Sequence, residues 1–322
     1  VTQADVILAV GARFDDRVTG KLSQFAPNAR IVHIDIDPTT LRKNVRVEVP
    51  VVSDALSALQ GLRSILESGH AQKDWAGDHA DWMGQVLEWQ KEHPLSWAKG
   101  DVLKPQQVVE RMYEITKGEA IITTEVGQNQ MWAAQFYKYH KPRTYLTSGG
   151  LGTMGYGLPA AIGAQMAFPD RLVVDVAGDG SIQMNIQELG TLFVEEIDVK
   201  MIILNNQHLG MVAQWEDRFY NYNRGNTVLG RCKGANGKGA GNHCDGCDGT
   251  ICTGLPYPDF VTIASGYGIP GRRVFTREEL EPAIEEMLAC DGPFLLDVYT
   301  GYDEHVLPMI PPGGDYTSII ME

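Results

Sequence analysis

Two stretches, VVDVAGDGS at residues 173–181 and VKMIILNN at residues 199–206, decide the fold of this chain. Each begins with a mostly apolar run, as central strands of parallel sheets do, and ends in small or polar residues. Open α/β sheets bind ligands at the carboxyl ends of their strands. The Gly-Asp-Gly motif at 178–180 and the Asn pair at 205–206 are therefore predicted to lie side by side in a ligand site.

The residue types in these two motifs suit a metal-bound diphosphate. The Asp179 carboxylate and the Asn206 amide oxygen are hard donors of the kind that Mg²⁺ binds. Glycines beside the aspartate let the backbone approach a diphosphate closely. A Gly-Asp-Gly turn alone is common, but here each motif follows a strand, and 24 residues separate Gly180 from Asn205. The combination favours a cofactor site over a simple turn.

Strand and helix signals alternate along the chain, which predicts the α/β class with parallel sheets flanked by helices. Residues 1–70 are assigned to part of a doubly wound domain and residues 102–322 to a second α/β domain. The polar residues 71–101 between them are assigned to a linker. The predicted strands are 6–10, 31–37, 121–124, 172–177, 199–204 and 294–298, and helices are predicted after Asp54, from Pro105, after Gly127 and over Arg277–Leu288.

The predicted linker carries three tryptophans seven residues apart, Trp75, Trp82 and Trp89. Seven residues are close to two helical turns, so the spacing predicts that all three lie on one face of a helix. Such a stripe is more typical of packing than of a cofactor site.

The composition limits the partners of the chain. Its 322 residues include 41 acidic and 27 basic side chains, a formal charge of −14, which opposes non-specific binding to nucleic acid. No apolar run reaches the roughly 20 residues that cross a bilayer, and no signal-peptide pattern opens the chain. We expect no nucleic-acid or membrane partner and a cytoplasmic location, with an organelle as the open alternative. The start at Val1, just before a strand, indicates that an N-terminal part of a longer protein is missing.

An atypical Cys- and Gly-rich insertion is assigned to residues 231–254. Four of the five cysteines lie in it, together with a histidine: Cys232, His243, Cys244, Cys247 and Cys252. Such ligands can hold zinc tetrahedrally. The spacing nevertheless matches no standard zinc or iron–sulfur pattern, so a flexible insertion with incidental thiols is the favoured interpretation.

The strand-end motifs resemble the cofactor motif of the thiamine diphosphate-binding fold. This resemblance implies a thiamine diphosphate site in the second domain. It also implies that Mg²⁺ is bound by the side chains of Asp179 and Asn206 and by the backbone carbonyl of His208.

Three longer stretches resemble the acetolactate (acetohydroxyacid) synthases: EVGQNQMW at 125–132, TSGGLGTMGYG at 147–157 and NNQHLGMVAQWEDRFY at 205–220. The resemblance implies that Met154 props the cofactor in a bent conformation and that Trp215 shapes the second-substrate pocket, where it favours 2-ketobutyrate. Many members of the family have His at the position of Asn129. The cofactor contacts that the resemblance implies here are Gln128, Asn129, Gly152, Met154, Gly178, Asp179, Gly180, Ser181, Asn206, His208 and Met211.

The first domain resembles the FAD-binding middle domain of the same family. Its stretch GARFDDRVTG at 11–20 resembles the FAD-contacting loop, and Arg17 there is expected to bind the substrate carboxylate, for which a guanidinium is well shaped. The stretch HVLPMIPPGG at 305–314 resembles the C-terminal lid of the family, apart from Pro312. The implied FAD contacts are Gly11, Ala12, Arg13, Phe14, Asp15, Asp35 and Ile36.

The resemblance implies the activity of an acetolactate synthase, a transferase of branched-chain amino-acid biosynthesis. Such an enzyme decarboxylates pyruvate and joins the product to a second 2-keto acid, pyruvate or 2-ketobutyrate. Thiamine diphosphate, Mg²⁺ and FAD are the implied cofactors, and Arg17, Met154 and Trp215 the implied catalytic residues. The full-length enzyme is expected to be a homodimer or tetramer, with a small regulatory subunit as a further partner.

The glutamate that activates the cofactor in this superfamily lies on a pyrimidine-binding domain, which this sequence does not contain. We therefore expect the chain to be the C-terminal part of the enzyme and to be inactive alone. Two alternatives stay open: a pyruvate oxidase-like thiamine and FAD enzyme, and a non-catalytic cofactor-binding subunit that needs a separate pyrimidine-domain chain.

Overall fold

The chain folds into two α/β units. The computed structural model describes residues 1–69, 73–100, 102–229 and 258–321. Each unit holds a parallel sheet with helices, which confirms the predicted fold class. Within the described ranges, no helix has both the length and the apolar surface that a bilayer span requires. The Cys- and Gly-rich insertion lies outside the described residues.

The first unit comprises residues 1–94 and 307–322, and the second comprises residues 95–306. The C-terminal segment joins the first unit, where the Lys21 N–H donates to the Gly314 carbonyl at 3.0 Å. The sequence placed this segment in the second domain, because position along the chain does not reveal such a return of the backbone. The limits 1–70, 71–101 and 102–322 stay a prediction.

The first unit is built on three parallel strands. Its elements are β1 Val6–Val10, α1 Asp16–Thr19, β2 Arg30–Asp35, β3 Val49–Val52, α2 Ala55–Gly69, α3 Trp75–Asp78 and α4 Ala80–Glu92. The strand order is β1-β2-β3, with Ile7 opposite Ile31. The strand predicted at 31–37 ends earlier, because Asp35 Oδ1 accepts the Asp37 N–H at 2.9 Å and the chain turns there.

The three tryptophans of the predicted linker fall on two helices. Trp82 and Trp89 share α4, and their ring centroids lie 5.8 Å apart in an edge-on arrangement. Trp75 instead begins α3, because Asp74 caps a new helix start and accepts the Gly77 N–H at 2.9 Å. The prediction of one helix face is wrong for Trp75.

The second unit contains a six-stranded parallel sheet. Its elements are α5 Pro105–Thr116, β4 Ile121–Thr124, α6 Gln128–Phe136, β5 Tyr145–Leu146, α7 Gly157–Ala167, β6 Val173–Gly178, α8 Asp179–Ile182, α9 Leu189–Val194, β7 Val199–Asn205, α10 Gly210–Phe219, α11 Phe260–Gly266, β8 Gly271–Val274, α12 Arg277–Ala289 and β9 Phe294–Tyr299. The strand order is β5-β4-β6-β7-β9-β8. Every residue of the central strand β7 is buried, as its apolar run predicts.

Apolar layers cover both faces of this sheet. Side chains of β6 alternate between them: Val174 and Val176 pack into one layer, and Val173 and Ala177 pack into the other. Because the described residues cover both faces, the ends of the strands are where polar groups can meet a ligand. The carboxyl ends of β4, β6 and β7 each lead into a helix.

Gly157→Ala at the start of α7 is expected to destabilise the second unit. A Cβ there would lie 2.5 Å from the Glu125 nitrogen and 2.7 Å from the Thr124 carbonyl carbon. Backbone atoms have little room to move, so we expect a loss of about 1–3 kcal/mol in the free energy of unfolding. Urea denaturation measures this change.

Gly163→Ala in the same helix is the matched control. Nothing lies within 4 Å of the Cβ that this change adds. It should leave the free energy of unfolding unchanged or raise it by up to about 1 kcal/mol, since alanine favours helix. Equal losses in both variants would contradict the steric explanation.

Candidate functional site

Three strand-to-helix junctions meet at one edge of the six-stranded sheet. The strands β4, β6 and β7 are neighbours, and they lead into α6, α8 and α10. The register of β6 and β7 sets Gly178 opposite Leu204. The structure therefore brings Asp179 and Asn206, the two predicted metal-binding side chains, to adjacent strand ends.

Asp179 and Asn206 are almost completely buried at this edge, with 2% and 9% of their surface exposed. Asp179 Oδ1 accepts the Gly180 N–H at 2.9 Å, and Asn206 Oδ1 accepts the His208 N–H at 3.0 Å. The His208 ring stacks on Tyr302 with centroids 4.9 Å apart, and burial lowers the pKa of this histidine. The stacking and the lowered pKa concern the His208 ring, whereas the implied metal ligand is the backbone carbonyl of His208.

The donor set fits Mg²⁺. One carboxylate, one amide oxygen and one carbonyl are hard ligands, and Mg²⁺ commonly completes its shell with water and phosphate oxygens. A residue with a side chain would clash at two glycine positions of this site. A Cβ at Gly178 would lie 2.9 Å from Asn129 Oδ1, and a Cβ at Gly180 would lie 2.7 Å from Leu209 Cδ2. In the part of the chain that the structure describes, no group of three or more His, Cys, Asp and Glu side chains could hold a metal ion.

Other protein groups engage the two predicted diphosphate-binding residues of α6. Asn129 Nδ2 donates to the carbonyls of Glu125 and Val176, both at 2.9 Å. Gln128 Oε1 accepts from Asn206 Nδ2 at 3.2 Å. Asn129 thus ties α6 to β6, and Gln128 contacts a predicted metal ligand.

The remaining predicted contacts of this unit lie before α7 and on α10. Gly152 has a φ of +64°, and Met154 is 37% exposed. Met211 and Trp215 are partly buried and, four residues apart, share one face of the helix. The Trp215 ring packs against Phe219 with centroids 5.3 Å apart.

Glu125 forms a buried cluster that the sequence did not single out. It is fully buried, and its Oε2 accepts the Ser181 hydroxyl at 2.7 Å and the Gly155 N–H at 2.8 Å. Its Oε1 accepts the Leu158 N–H at 3.0 Å. The carboxylate therefore joins the residue after Met154 to Ser181, a predicted cofactor contact. The sequence signal that could have identified Glu125 is an acidic residue directly after a buried strand.

Asp175 is the second buried acid of this cluster. Its Oδ1 accepts the Thr123 hydroxyl at 3.1 Å, and its Oδ2 has no hydrogen-bond partner. Burial raises the pKa of Asp175 well above its usual range, and the charge of Glu125 raises it further. Asp175 is therefore the acid of this cluster that its surroundings push toward the neutral form.

Asn205 and Asp297 fix the turn that presents Asn206. Asn205 belongs to the predicted motif but had no role of its own, and Asp297 was not predicted as a site residue. Asn205 Nδ2 donates to Asp297 Oδ1 at 2.8 Å, and Asn205 Oδ1 accepts the Gln207 N–H at 3.3 Å. Burial raises the pKa of Asp297 to about 6. Asp297 lies on the neighbouring strand β9, so only the fold brings it to the turn.

The predicted FAD and substrate residues lie in the first unit. Gly11 follows β1 with a φ of +65°. Phe14 is buried in the core of the unit, edge-on to His33 at 5.0 Å. Asp15 caps α1, on which Arg17 is exposed. Of the other predicted FAD contacts, Ala12 and Asp35 are partly buried and Arg13 and Ile36 are exposed.

Models of two protein families match the chain. Residues 125–298 match the C-terminal TPP-binding domain of thiamine pyrophosphate enzymes, and residues 1–62 match the central domain of the same enzymes. The first match covers more than half of the chain, and it includes every predicted metal-binding residue.

Curated relatives match the chain over its whole length. A probable chloroplastic acetolactate synthase 2 of Oryza sativa subsp. japonica is 49% identical to this chain. The match covers 100% of this chain and 46% of the length of the rice protein. Chloroplastic acetolactate synthases of Nicotiana tabacum and Arabidopsis thaliana are 49% and 48% identical over 100% of this chain and 45% of their own length. The chain spans about half the length of the curated relatives that it matches.

Glu125→Gln is expected to cost more stability than Asp175→Asn. The glutamine offers only one acceptor oxygen, so a buried N–H donor of the Glu125 cluster loses its partner, at about 1–3 kcal/mol. Asp175→Asn keeps the oxygen that accepts from Thr123 and replaces an atom that already has no hydrogen-bond partner, so we expect a smaller loss. Urea denaturation of the two variants at neutral pH compares them. A larger loss for Asp175→Asn would contradict this order.

Asp297 predicts a pH dependence of stability. Its folded pKa of about 6 lies above the ordinary value of 3.8, so the folded protein holds a proton that the unfolded chain releases. The stabilisation is complete below the ordinary pKa and is lost as the pH rises through the folded pKa.

Asp297→Asn removes this contribution. The free energy of unfolding of the wild type relative to the variant should therefore fall between about pH 4 and about pH 7. Asp291→Asn, at an exposed residue, is the control. Its free energy of unfolding should run parallel to that of the wild type across this pH range. A constant difference between the wild type and Asp297→Asn would contradict the buried, protonated carboxyl.

Proposed function

Because the chain belongs to the thiamine pyrophosphate enzyme family, we propose that it is the part of an acetolactate synthase that binds the cofactor diphosphate through Mg²⁺. The observation that carries this proposal is the placement of Asp179 and Asn206 at adjacent strand ends. Identities of 47–49% to acetolactate synthases along the whole chain support the reaction class.

The residues of the chain would serve binding and orientation. Thiamine diphosphate, when bound, supplies the electron sink for decarboxylation of a 2-keto acid. Asp179, Asn206 and the His208 carbonyl would hold Mg²⁺, whose charge offsets that of the diphosphate. Met154 is proposed to support the bent cofactor, and Arg17 to bind the substrate carboxylate through its planar guanidinium.

Pyruvate and 2-ketobutyrate are the proposed substrates, with Trp215 shaping the pocket of the second one. The loop at 11–17 is proposed to contact FAD. A homodimer or tetramer and a small regulatory subunit complete the proposed assembly. The relatives are named as chloroplastic proteins, which favours an organelle over the cytoplasm as the proposed location.

Similarity to acetolactate synthases favours this function over a pyruvate oxidase-like one. Each of the relatives covers both units of this chain within one longer protein. That arrangement also favours part of a single enzyme over a separate non-catalytic subunit.

A fusion enzyme tests the proposed function. The N-terminal portion of the tobacco relative that precedes the matched region would be joined to this chain. With thiamine diphosphate, Mg²⁺, FAD and pyruvate, the fusion is expected to form acetolactate, measured colorimetrically after conversion to acetoin. The chain alone is expected to bind the cofactor and form no product, since the activating glutamate belongs to the pyrimidine-binding domain.

Two variants of the fusion serve as test and control. Asp179→Ala removes the single carboxylate of the metal site and should lower acetolactate formation at least about a hundredfold, as lost metal charge stabilisation does. Asp170→Ala, at an exposed turn residue, should leave it unchanged. A folded fusion without activity, or an active Asp179→Ala variant, would overturn the proposal.

A further inference from the structure

Gln214 on α10 has an amide whose orientation is fixed by backbone groups. It is 2% exposed. The Val306 N–H donates to Gln214 Oε1 at 2.8 Å, and Gln214 Nε2 donates to the Val306 carbonyl at 3.1 Å. A backbone N–H only donates and a carbonyl only accepts. The oxygen and nitrogen of this amide therefore cannot exchange places.

The fixed orientation of Gln214 passes to Gln128. Gln128 Nε2 donates to Gln214 Oε1 at 3.0 Å and to the Glu304 carbonyl at 2.9 Å. Both partners are acceptors, so the nitrogen of Gln128 must face them. The Glu304 carboxylate is itself anchored by Lys104 and Gln106. The oxygen of Gln128 therefore faces the end of the sheet that carries the predicted metal-binding residues.

Gln128 in turn orients Asn206. Gln128 Oε1 accepts from Asn206 Nδ2 at 3.2 Å, while Asn206 Oδ1 accepts the His208 N–H at 3.0 Å. The two bonds demand the same orientation of the Asn206 amide. An amide oxygen has two lone pairs, so Oδ1 keeps one for a cation.

The hydrogen-bonded amides of Gln214, Gln128 and Asn206 form a relay, and the absence of a side chain at Gly210 leaves room for it. A Cβ at Gly210 would overlap Gln128 Oε1 and lie 2.6 Å from Asn206 Nδ2. The first residue of α10 is thus a glycine at the point where the two amides meet. The glycine at position 210 is a second observation, on steric room rather than hydrogen bonding, that supports the contact between Gln128 and Asn206.

We propose that Gln214 is a positioning residue that fixes, through Gln128, which atom of the Asn206 amide faces the metal. The proposal rests on the proposed function, in which Asn206 Oδ1 binds Mg²⁺. A flipped Asn206 would present a donor N–H group to the cation, which repels it. The relay is buried, so an amide turned the wrong way would also leave buried polar groups without partners.

A purely structural role predicts something different. Gln214 would then only hold Val306 against α10, and its loss would lower stability without changing the Asn206 amide. The matched control for this interpretation is Gln165, which is 5% exposed and donates to three backbone carbonyls of one loop.

Gln214→Met and Gln165→Met are compared in the cofactor-free chain by NMR of the asparagine side-chain amides, with Asn206→Asp used to assign the Asn206 signals. The wild type and Gln165→Met should show two separate, slowly exchanging Asn206 amide protons. Gln214→Met should shift these signals and speed their exchange with water at least about tenfold, as the loss of one hydrogen-bond restraint does. Unchanged Asn206 signals in Gln214→Met would overturn the proposal.

Mg²⁺ titrations of thiamine diphosphate binding to the same chains give the second readout. Gln214→Met should weaken the apparent Mg²⁺ affinity about tenfold or more, while Gln165→Met should leave it unchanged. If the wild-type chain binds no thiamine diphosphate, the proposed function fails, and the NMR comparison still decides the relay.

Gly210→Ala tests the relay if Gln214→Met does not fold. The three atoms nearest to its Cβ all belong to the side chains of Gln128 and Asn206 and none to the backbone, so the fold should persist. The Asn206 amide signals should move as in Gln214→Met, and the Mg²⁺ affinity should fall. A folded Gly210→Ala variant with wild-type Asn206 signals and affinity would overturn the proposal.

Discussion

The parallel pairing of β6 with β7 is the constraint on which the rest of the site depends. Parallel strands end at the same edge of a sheet, and the register that sets Gly178 opposite Leu204 brings Asp179 beside the turn at 205–206. A slip of one residue would turn every side chain of the shifted strand to the opposite face and separate the carboxylate from the amide. The same hydrogen bonds therefore hold both the core and the site.

Behind the predicted metal ligands, several buried polar side chains are oriented by hydrogen bonds to the backbone. Glu125 accepts the backbone N–H groups of Gly155 and Leu158, and burial beside it raises the pKa of Asp175. The amides of Gln214 and Gln128 are oriented by backbone groups of residues 304–306. In a low-dielectric interior, any other arrangement leaves polar groups unpaired at high cost.

Strands and site motifs were predictable because they depend on local pattern. Apolar runs predicted β6 and β7, and the polar residues after them predicted where Asp179 and Asn206 would lie. Glu125 and Gln214 were not predicted as site residues, because their partners are distant in sequence: Ser181 lies 56 residues from Glu125, and Val306 lies 92 residues from Gln214. No local pattern encodes a hydrogen bond of that kind.

The most direct test of the account is a crystal structure of the chain with thiamine diphosphate and Mn²⁺ in place of Mg²⁺. We expect one anomalous peak, about 2.1 Å from a carboxylate oxygen of Asp179 and from Oδ1 of Asn206. The amide nitrogen of Asn206 should still face Gln128. A metal peak away from these two residues, or one that faces the amide nitrogen, would contradict it.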